Sequence, residues 1–273
     1  MRFPVFLLFL AIGCTAISFQ GCSEYQEVVK STDFKLKLQK AKEYYAAGQY
    51  YKAQPLFEEL VNYYKGTKEM EDIYYYYAYT YYKQGEYLVA AYHFKTFAST
   101  YPSNPNAQEC LFMNAKCYYL VSPDVELEQS YTQKAIDELQ LFTNLYPSGT
   151  YIADANQMID DMRRKLELKA FLSGELYYRM GKYKAASVTF QNLLKNYPES
   201  PNAELASFLI VKSNYYYALN SIPLKQKERY QTTIDSYQLF TIRFSGSSYT
   251  SEAKSYYESS LKNLNKIKPN EQE

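Results

Sequence analysis

Apolar and aromatic residues recur at intervals of three and four along most of this chain, a spacing that places side chains on one face of an α-helix. Glycine stands at three breaks in the pattern, where a positive φ costs little for this residue alone: Gly48, Gly85 and Gly181. A tyrosine-proline pair follows three other runs, and proline cannot continue a helix: Tyr101-Pro102, Tyr146-Pro147 and Tyr197-Pro198. The pattern therefore predicts successive paired helices and no strand domain.

Polar residues before the next apolar runs predict where helices restart. Asn104 and Ser200 each precede a proline, which predicts an N-cap residue followed by proline at the first helical position. The stretch from Ser31 to Asp33 offers caps for the first helix of the repeats.

A doubled tyrosine recurs five times, with small and large residues at matching offsets around it: Tyr44-Tyr45, Tyr81-Tyr82, Tyr118-Tyr119, Tyr177-Tyr178 and Tyr216-Tyr217. The third and fifth copies align once eight residues are inserted between their halves, near 122–124 and 221–223. A helix-turn-helix unit of about 34 residues is the tetratricopeptide period. Stacked units of this kind bury a continuous core and present a concave face.

We therefore predict an all-α, tetratricopeptide-type solenoid of five helix-turn-helix units over residues 34–264. Residues 22–33 are interpreted as a spacer, and residues 265–273 as a polar tail.

The two members of each tyrosine pair are expected to do different jobs, because neighbouring helix residues point about 100° apart. The first member should pack between the helices of its unit. The second member, with a few other aromatic residues, should face the groove and bind an extended or helical peptide; the alternative is that these rings only pack against neighbouring units. The predicted groove residues are Tyr45, Tyr75, Tyr79, Tyr82, Phe112, Tyr119, Phe171, Tyr178 and Tyr217.

The N-terminus is typical of a secretory signal, since Arg2 precedes an uncharged apolar run over residues 3–19. Gly21 and Cys22 end this run and resemble a bacterial lipobox, so residues 1–21 are interpreted as a signal peptide. Cys22 would then carry a covalent lipid, and no other cofactor is expected. A lipobox at Cys14 and an uncleaved membrane helix are the alternatives.

Composition and chemistry argue against catalysis and nucleic-acid binding. The chain has 34 Tyr, 15 Phe and no Trp, and its net charge of +1 lacks a basic footprint. His93 is the only histidine, and no glycine-rich phosphate loop is present. Cys110 and Cys117 lie seven residues apart on a predicted helix, about 10.5 Å along its axis, too far for a disulfide. They are interpreted as buried free thiols, and neither an enzyme nor a metal site is predicted.

Three features together resemble the BamD family, the lipoproteins of the outer-membrane β-barrel assembly machine. They are the stretch from Cys22 through Asp33, the tyrosine-proline junctions at 101–105 and 197–201, and five units with longer third and fifth members. The resemblance implies a lipid-anchored scaffold on the periplasmic face of the outer membrane. It also implies that the C-terminal units contact a BamA-like barrel subunit, that the N-terminal units receive unfolded outer-membrane proteins, and that other lipoproteins of the machine are partners.

Two other functions remain open from the residues. One is a different periplasmic tetratricopeptide scaffold lipoprotein, although no sustained heptad run is visible. The other is a glycan-binding nutrient-import lipoprotein, a class that usually contains Trp, which this chain lacks.

Overall fold

The computed structural model describes residues 24–267. The predicted signal peptide, the Cys22 anchor and its Cys14 alternative lie outside the described residues, as does the predicted tail beyond residue 267. Within residues 24–267 the regular structure is entirely α-helical, which confirms the predicted fold class.

The helices are numbered in chain order. The first, α1, is described over residues 24–30. The following helices are α2 (Phe34–Ala46), α3 (Tyr50–Tyr63), α4 (Glu69–Lys83), α5 (Tyr87–Thr100), α6 (Ala107–Leu120) and α7 (Ser130–Leu145). Then come α8 (Ile152–Arg179), α9 (Tyr183–Asn196), α10 (Ala203–Leu219), α11 (Pro223–Arg243) and α12 (Thr250–Leu264).

Helices α2 to α11 form the five predicted helix-turn-helix units, because each pair packs side by side: α2 with α3, α4 with α5, α6 with α7, the C-terminal part of α8 with α9, and α10 with α11. The tight turns within three pairs are closed by glycine at positive φ, at 73° for Gly48, 81° for Gly85 and 70° for Gly181. Asp33 caps α2, since its carboxylate accepts from the backbone nitrogens of Lys35 and Leu36.

Small residues allow the paired helices to approach closely. Ala41 and Ala53 are fully buried where α2 meets α3, and Ala78 and Ala90 where α4 meets α5. At the matching place in α8, a Cβ added to Gly174 would lie 2.6 Å from Phe190 Cε1, so only glycine fits there without displacing the ring.

Tyrosine and proline end the second helices as predicted: α5 stops at Thr100, α7 at Leu145 and α9 at Asn196. The next helices were predicted to begin at the prolines that follow Asn104 and Ser200. They begin two residues later, α6 at Ala107 and α10 at Ala203.

Each helix begins later than predicted because a turn precedes it, in which a side chain accepts a hydrogen bond from the backbone two residues further on. Asn104 Oδ1 accepts from the backbone nitrogen of Asn106 at 2.8 Å, and Ser200 Oγ accepts from that of Asn202 at 3.0 Å. The side chains of Asn104 and Ser200 also donate to glutamates of preceding helices, Glu71 and Glu167 respectively.

The two predicted insertions differ in structure. In the third unit the extra residues connect α6 to α7 outside any helix, over residues 121–129. In the fifth unit they lengthen the second helix, since α11 has 21 residues and the corresponding α9 has 14.

The chain divides into two compact units rather than one. Among the described residues, the first contains 24–123 together with Gln129–Met162, and the second contains Asp124–Glu128 and 163–267. The division falls within α8, whose 28 residues join the end of the first unit to the beginning of the second.

The predicted spacer is in part a packed helix. Within α1, Val28 is buried in the core that also contains Ala41 and Ala53. The ring of Tyr25 lies edge-on to that of Tyr44, with 5.6 Å between centroids. Residues 24–30 therefore belong to the first helical pair and are not an extended linker.

Candidate protein-binding surface

Helix α4 carries tyrosines on two faces. Tyr75, Tyr79 and Tyr82 are spaced by four and three residues, so the helix period aligns them. Their ring centroids are 4.8 Å apart for Tyr75 and Tyr79, and 6.1 Å apart for Tyr79 and Tyr82. All three are half-buried, so each ring keeps part of its surface in solvent.

Neighbouring rings extend this stripe. Tyr45 of α2 lies 5.0 Å from Tyr76, centroid to centroid, and Tyr76 lies 5.9 Å from Tyr75. Burial is the main cause that raises the pKa of Tyr45 to about 12. We call the continuous set of five half-buried rings the tyrosine row: Tyr45, Tyr76, Tyr75, Tyr79 and Tyr82.

One carboxylate lies against the row. Glu109 Oε1, in the first turn of α6, accepts hydrogen bonds from the hydroxyls of Tyr75, at 3.2 Å, and Tyr79. Burial, followed by the interaction with Glu109, raises the pKa of both phenols above the ordinary tyrosine value. The row therefore presents aromatic rings beside one carboxylate, and that carboxylate fixes the direction of the Tyr75 and Tyr79 hydroxyls.

The second stripe of α4 faces α5 and surrounds the one histidine. His93 Nδ1 lies 2.9 Å from the Tyr74 hydroxyl, and the imidazole stacks on Tyr81 with 5.1 Å between centroids. Burial lowers the pKa of His93 below its ordinary value. The histidine packs between the two helices of one repeat.

Two predicted groove residues are wrongly placed by sequence reasoning. Phe112 is buried and stacks on Tyr151 at 4.7 Å between centroids, and Phe171 is buried against Phe190 at 5.8 Å. Both rings fill the space between packed helices, because their positions on α6 and α8 point toward the following helix and not toward solvent. Tyr119 is half-buried, and its hydroxyl donates to Asp161 Oδ2 at 3.2 Å.

In the second compact unit, the structure places Tyr178 in a different aromatic group. Its ring centroid lies 5.6 Å from Tyr183 and 6.5 Å from Tyr216, with Lys212 Nζ 5.8 Å above the ring. Lys212 also forms an ion pair with Glu252 at 2.9 Å. Four predicted groove residues of the first compact unit are thus brought together in the tyrosine row: Tyr45, Tyr75, Tyr79 and Tyr82. Tyr178 instead contacts residues that were not predicted to face the groove.

The fifth tyrosine pair reverses the predicted roles. Tyr216, expected in the core, contacts Tyr178, whereas the Tyr217 ring packs against Arg229 of α11, 4.0 Å from the guanidinium carbon. Tyr177, also expected in the core, is 40% exposed. Three consecutive tyrosines occupy positions 215–217, so the helix register, which the repeat alignment did not fix, decides which of them faces which side.

Sequence reasoning missed the polar partners of these rings. Glu109 has the usual features of an acidic residue in the first turn of a helix, and nothing local connects it to tyrosines 30 and 34 residues earlier. The repeat offset between first helices is the signal that could have paired them.

The cysteine interpretation is confirmed, since Cys110 and Cys117 are buried and unbonded. Across residues 24–267 no group of three or more His, Cys, Asp or Glu side chains could hold a metal ion. No helix in that range combines the length and apolar character needed to cross a bilayer.

Paired helices, glycine turns and buried small residues define a tetratricopeptide-type helical repeat protein that carries a row of half-buried tyrosines. The family model described as "YfiO: Outer membrane lipoprotein" matches residues 34–231, more than half of the chain. The chain belongs to this family of outer membrane lipoproteins, which confirms the resemblance seen in the sequence.

Curated relatives agree with this assignment. The chain is 29% identical over 142 residues to "Outer membrane protein assembly factor BamD" of Caulobacter vibrioides, covering 52% of this chain and 47% of the relative. It is 24% identical to the protein of the same name from Rickettsia prowazekii, covering 50% and 54%. A protein with a provisional BamD name from Aquifex aeolicus is 23% identical, covering 76% and 69%. The chain therefore spans about half of the length of the first and the second of these relatives.

Among solved structures, the TPR2AB domain of yeast Sti1 is similar at 12% identity and a TM-score of 0.38, covering 84% of this chain and 98% of that one. The family assignment does not depend on this likeness.

Proposed function

We propose that this chain is a non-catalytic scaffold lipoprotein of the outer-membrane β-barrel assembly machine. The observation that carries the proposal is the family match over residues 34–231, supported by relatives named as assembly factors. In this proposal a lipid on Cys22 holds the protein on the periplasmic face of the outer membrane.

The tyrosine row supports binding of unfolded barrel proteins. The strands of these substrates alternate apolar and polar side chains, so an extended segment presents both kinds at once. A tyrosine offers an apolar ring and a hydroxyl with few rotatable bonds, which suits such a segment. The half-buried rings from Tyr45 to Tyr82 provide several of these contacts in one line.

The second compact unit is proposed to contact a BamA-like barrel subunit and the other lipoproteins of the machine, as the resemblance implies. Its surface carries large apolar side chains that are more than half exposed and available for contact with a partner: Met180, Ile222, Leu239 and Ile242.

Depletion of the protein in its native cell tests the proposed role. Quantitative mass spectrometry of the outer membrane should show a loss of β-barrel proteins, which the wild-type gene restores. An unchanged barrel proteome, with altered peptidoglycan synthesis or glycan uptake instead, would support one of the alternative roles and contradict this one.

The anchor is tested separately. Cys22→Ala should abolish the lipid mass on the mature protein and move it out of the membrane fraction, whereas Cys14→Ala should do neither. The reverse result would assign the lipid to Cys14.

A further inference from the structure

A cavity of about 310 Å³ lies within the second compact unit, between α9, α10 and α11. Its wall includes the side chains of Lys184, Asn214, Tyr217, Lys225 and Arg229. Tyr217 is the predicted groove residue in this wall, and the residues of the tyrosine row take no part in it.

The wall of the cavity carries more positive than negative charge. Lys184, Lys225 and Arg229 contribute three cations, and Glu228 is the acidic residue among the lining side chains. The carboxylate of Glu228 is 3.9 Å from Lys225 Nζ and its side chain is largely exposed, so it offsets the other two cations weakly.

Arg229 is held in a fixed position. Its guanidinium carbon lies 4.0 Å from the centre of the Tyr217 ring, and its Nη1 donates to Ser221 Oγ. A guanidinium has five N–H donors, so several remain for a ligand. A planar, pre-positioned guanidinium matches the geometry of a carboxylate better than a mobile ammonium does.

An apolar groove of about 740 Å³ adjoins the cavity. Tyr177 and Tyr183 line only the groove, whereas Lys184, Val188 and Tyr217 line both spaces. A polypeptide can therefore place an apolar residue in the groove and a polar residue in the cavity at the same time.

We propose that this cavity binds the carboxylate of an acidic side chain in a partner polypeptide, with a neighbouring apolar residue in the groove. Arg229 holds the carboxylate oxygens, and Lys184 and Lys225 attract the segment electrostatically. The inference rests on the cavity and goes beyond the assembly role, so its failure would leave that role untouched.

Nuclear magnetic resonance of the full, detergent-extracted lipoprotein labelled with ¹⁵N tests the proposal. The probes are N-acetyl-Phe-Glu-amide and its uncharged match, N-acetyl-Phe-Gln-amide. The glutamate probe should shift the Arg229 Nε–H signal saturably. The glutamine probe should bind at least about fivefold more weakly, since it loses the charge-assisted hydrogen bonds.

Variants on one helix provide the control. Arg229→Gln should weaken binding of the glutamate probe to the level of the glutamine probe. Arg243→Gln removes another α11 arginine that lies over an aromatic ring, 5.2 Å from Phe244, but lines neither space, and it should bind as the wild type does. If Arg229→Gln does not fold by circular dichroism, Lys225→Gln replaces it, because that lysine is exposed and its loss should still weaken binding.

Two results would overturn the proposal. One is equal binding of both probes, or binding that neither cavity variant weakens. The other is much tighter binding of N-acetyl-phenylalanine with a free carboxylate, which would assign the cavity to a chain terminus and not to an acidic side chain.

Discussion

The Tyr79 hydroxyl donates a hydrogen bond to Glu109 and so links α4, the first helix of one repeat, to α6, the first helix of the next. Tyr75 donates to the same carboxylate oxygen. The tyrosine row is therefore held in place by polar contacts between repeats as well as by ring packing.

Removing the Tyr79 hydroxyl should destabilise the protein. Because the acceptor is a carboxylate, Tyr79→Phe is expected to lower the free energy of unfolding by about 1–2 kcal/mol. A double-mutant cycle with Glu109→Gln, followed by denaturant unfolding, measures the coupling. Tyr63→Phe is the control, since that ring is largely exposed and should change stability little. A coupling of zero would mean that the hydrogen bond contributes nothing.

Alkaline solution should unfold the protein through its tyrosines. Burial raises the pKa of Tyr45 and of Tyr74 from the ordinary tyrosine value of 10.0 to about 12. A group whose pKa is raised in the folded state stabilises it below its unfolded pKa, and this stabilisation is lost as pH rises through the folded pKa. Stability should therefore fall between pH 10 and pH 12.

Absorbance at the tyrosinate band and circular dichroism, recorded together over this pH range, check the expectation. Ionisation of the buried tyrosines should coincide with loss of helix. Complete ionisation near pH 10 with the helices intact would contradict it.

Glu138 should contribute to stability at neutral pH and lose that contribution in acid. Burial alone would raise the pKa of this carboxyl, but hydrogen bonds from Lys134 and Lys95 outweigh burial and lower the pKa below the ordinary glutamate value. A lowered pKa stabilises the folded state above the unfolded value, and the effect disappears as pH falls through the folded pKa.

Glu138→Gln is accordingly expected to cost about 1–3 kcal/mol at pH 7 and less in acid, measured by urea unfolding at several pH values. Glu258→Gln is the matched change, since Glu258 meets Lys254 at 3.7 Å with both side chains exposed, and should cost little. A loss for Glu138→Gln that is the same at every pH would show that its charge is not the cause.

Gly174 should tolerate no side chain. Alanine would place its Cβ 2.6 Å from the Phe190 ring, so Gly174→Ala is expected to destabilise the protein by about 1–3 kcal/mol through overpacking. Gly246→Ala is the control, because nothing lies within 4 Å of an added Cβ and its φ is not positive. Thermal unfolding should separate the two variants, and equal melting temperatures would show that α8 and α9 can move apart freely.

Local chemistry is what made much of the fold predictable from sequence. Gly48, Gly85 and Gly181 revealed the turns because only glycine takes positive φ cheaply, and the tyrosine-proline pairs revealed helix ends because proline has no N–H to donate. The continuous α8 was not predicted, because no residue marks the point within it where the first compact unit gives way to the second.

The surface was less predictable than the helices. Tyr75, Tyr79 and Tyr82 could be aligned from their spacing, but Phe112 and Tyr217 were misplaced. A shift of one residue turns a side chain by about 100°, and the repeat alignment did not fix α10 that closely. Partners such as Glu109 depend on contacts between repeats, which spacing within one helix does not reveal.

The central claim is tested most directly by purifying the membrane-extracted lipoprotein from its native cell and quantifying the proteins that accompany it by mass spectrometry. The account predicts a β-barrel subunit with repeated periplasmic domains in near-equal amount to this chain. Recovery of peptidoglycan-synthesis or transporter proteins in its place would contradict the assembly role and leave the helical-repeat fold intact.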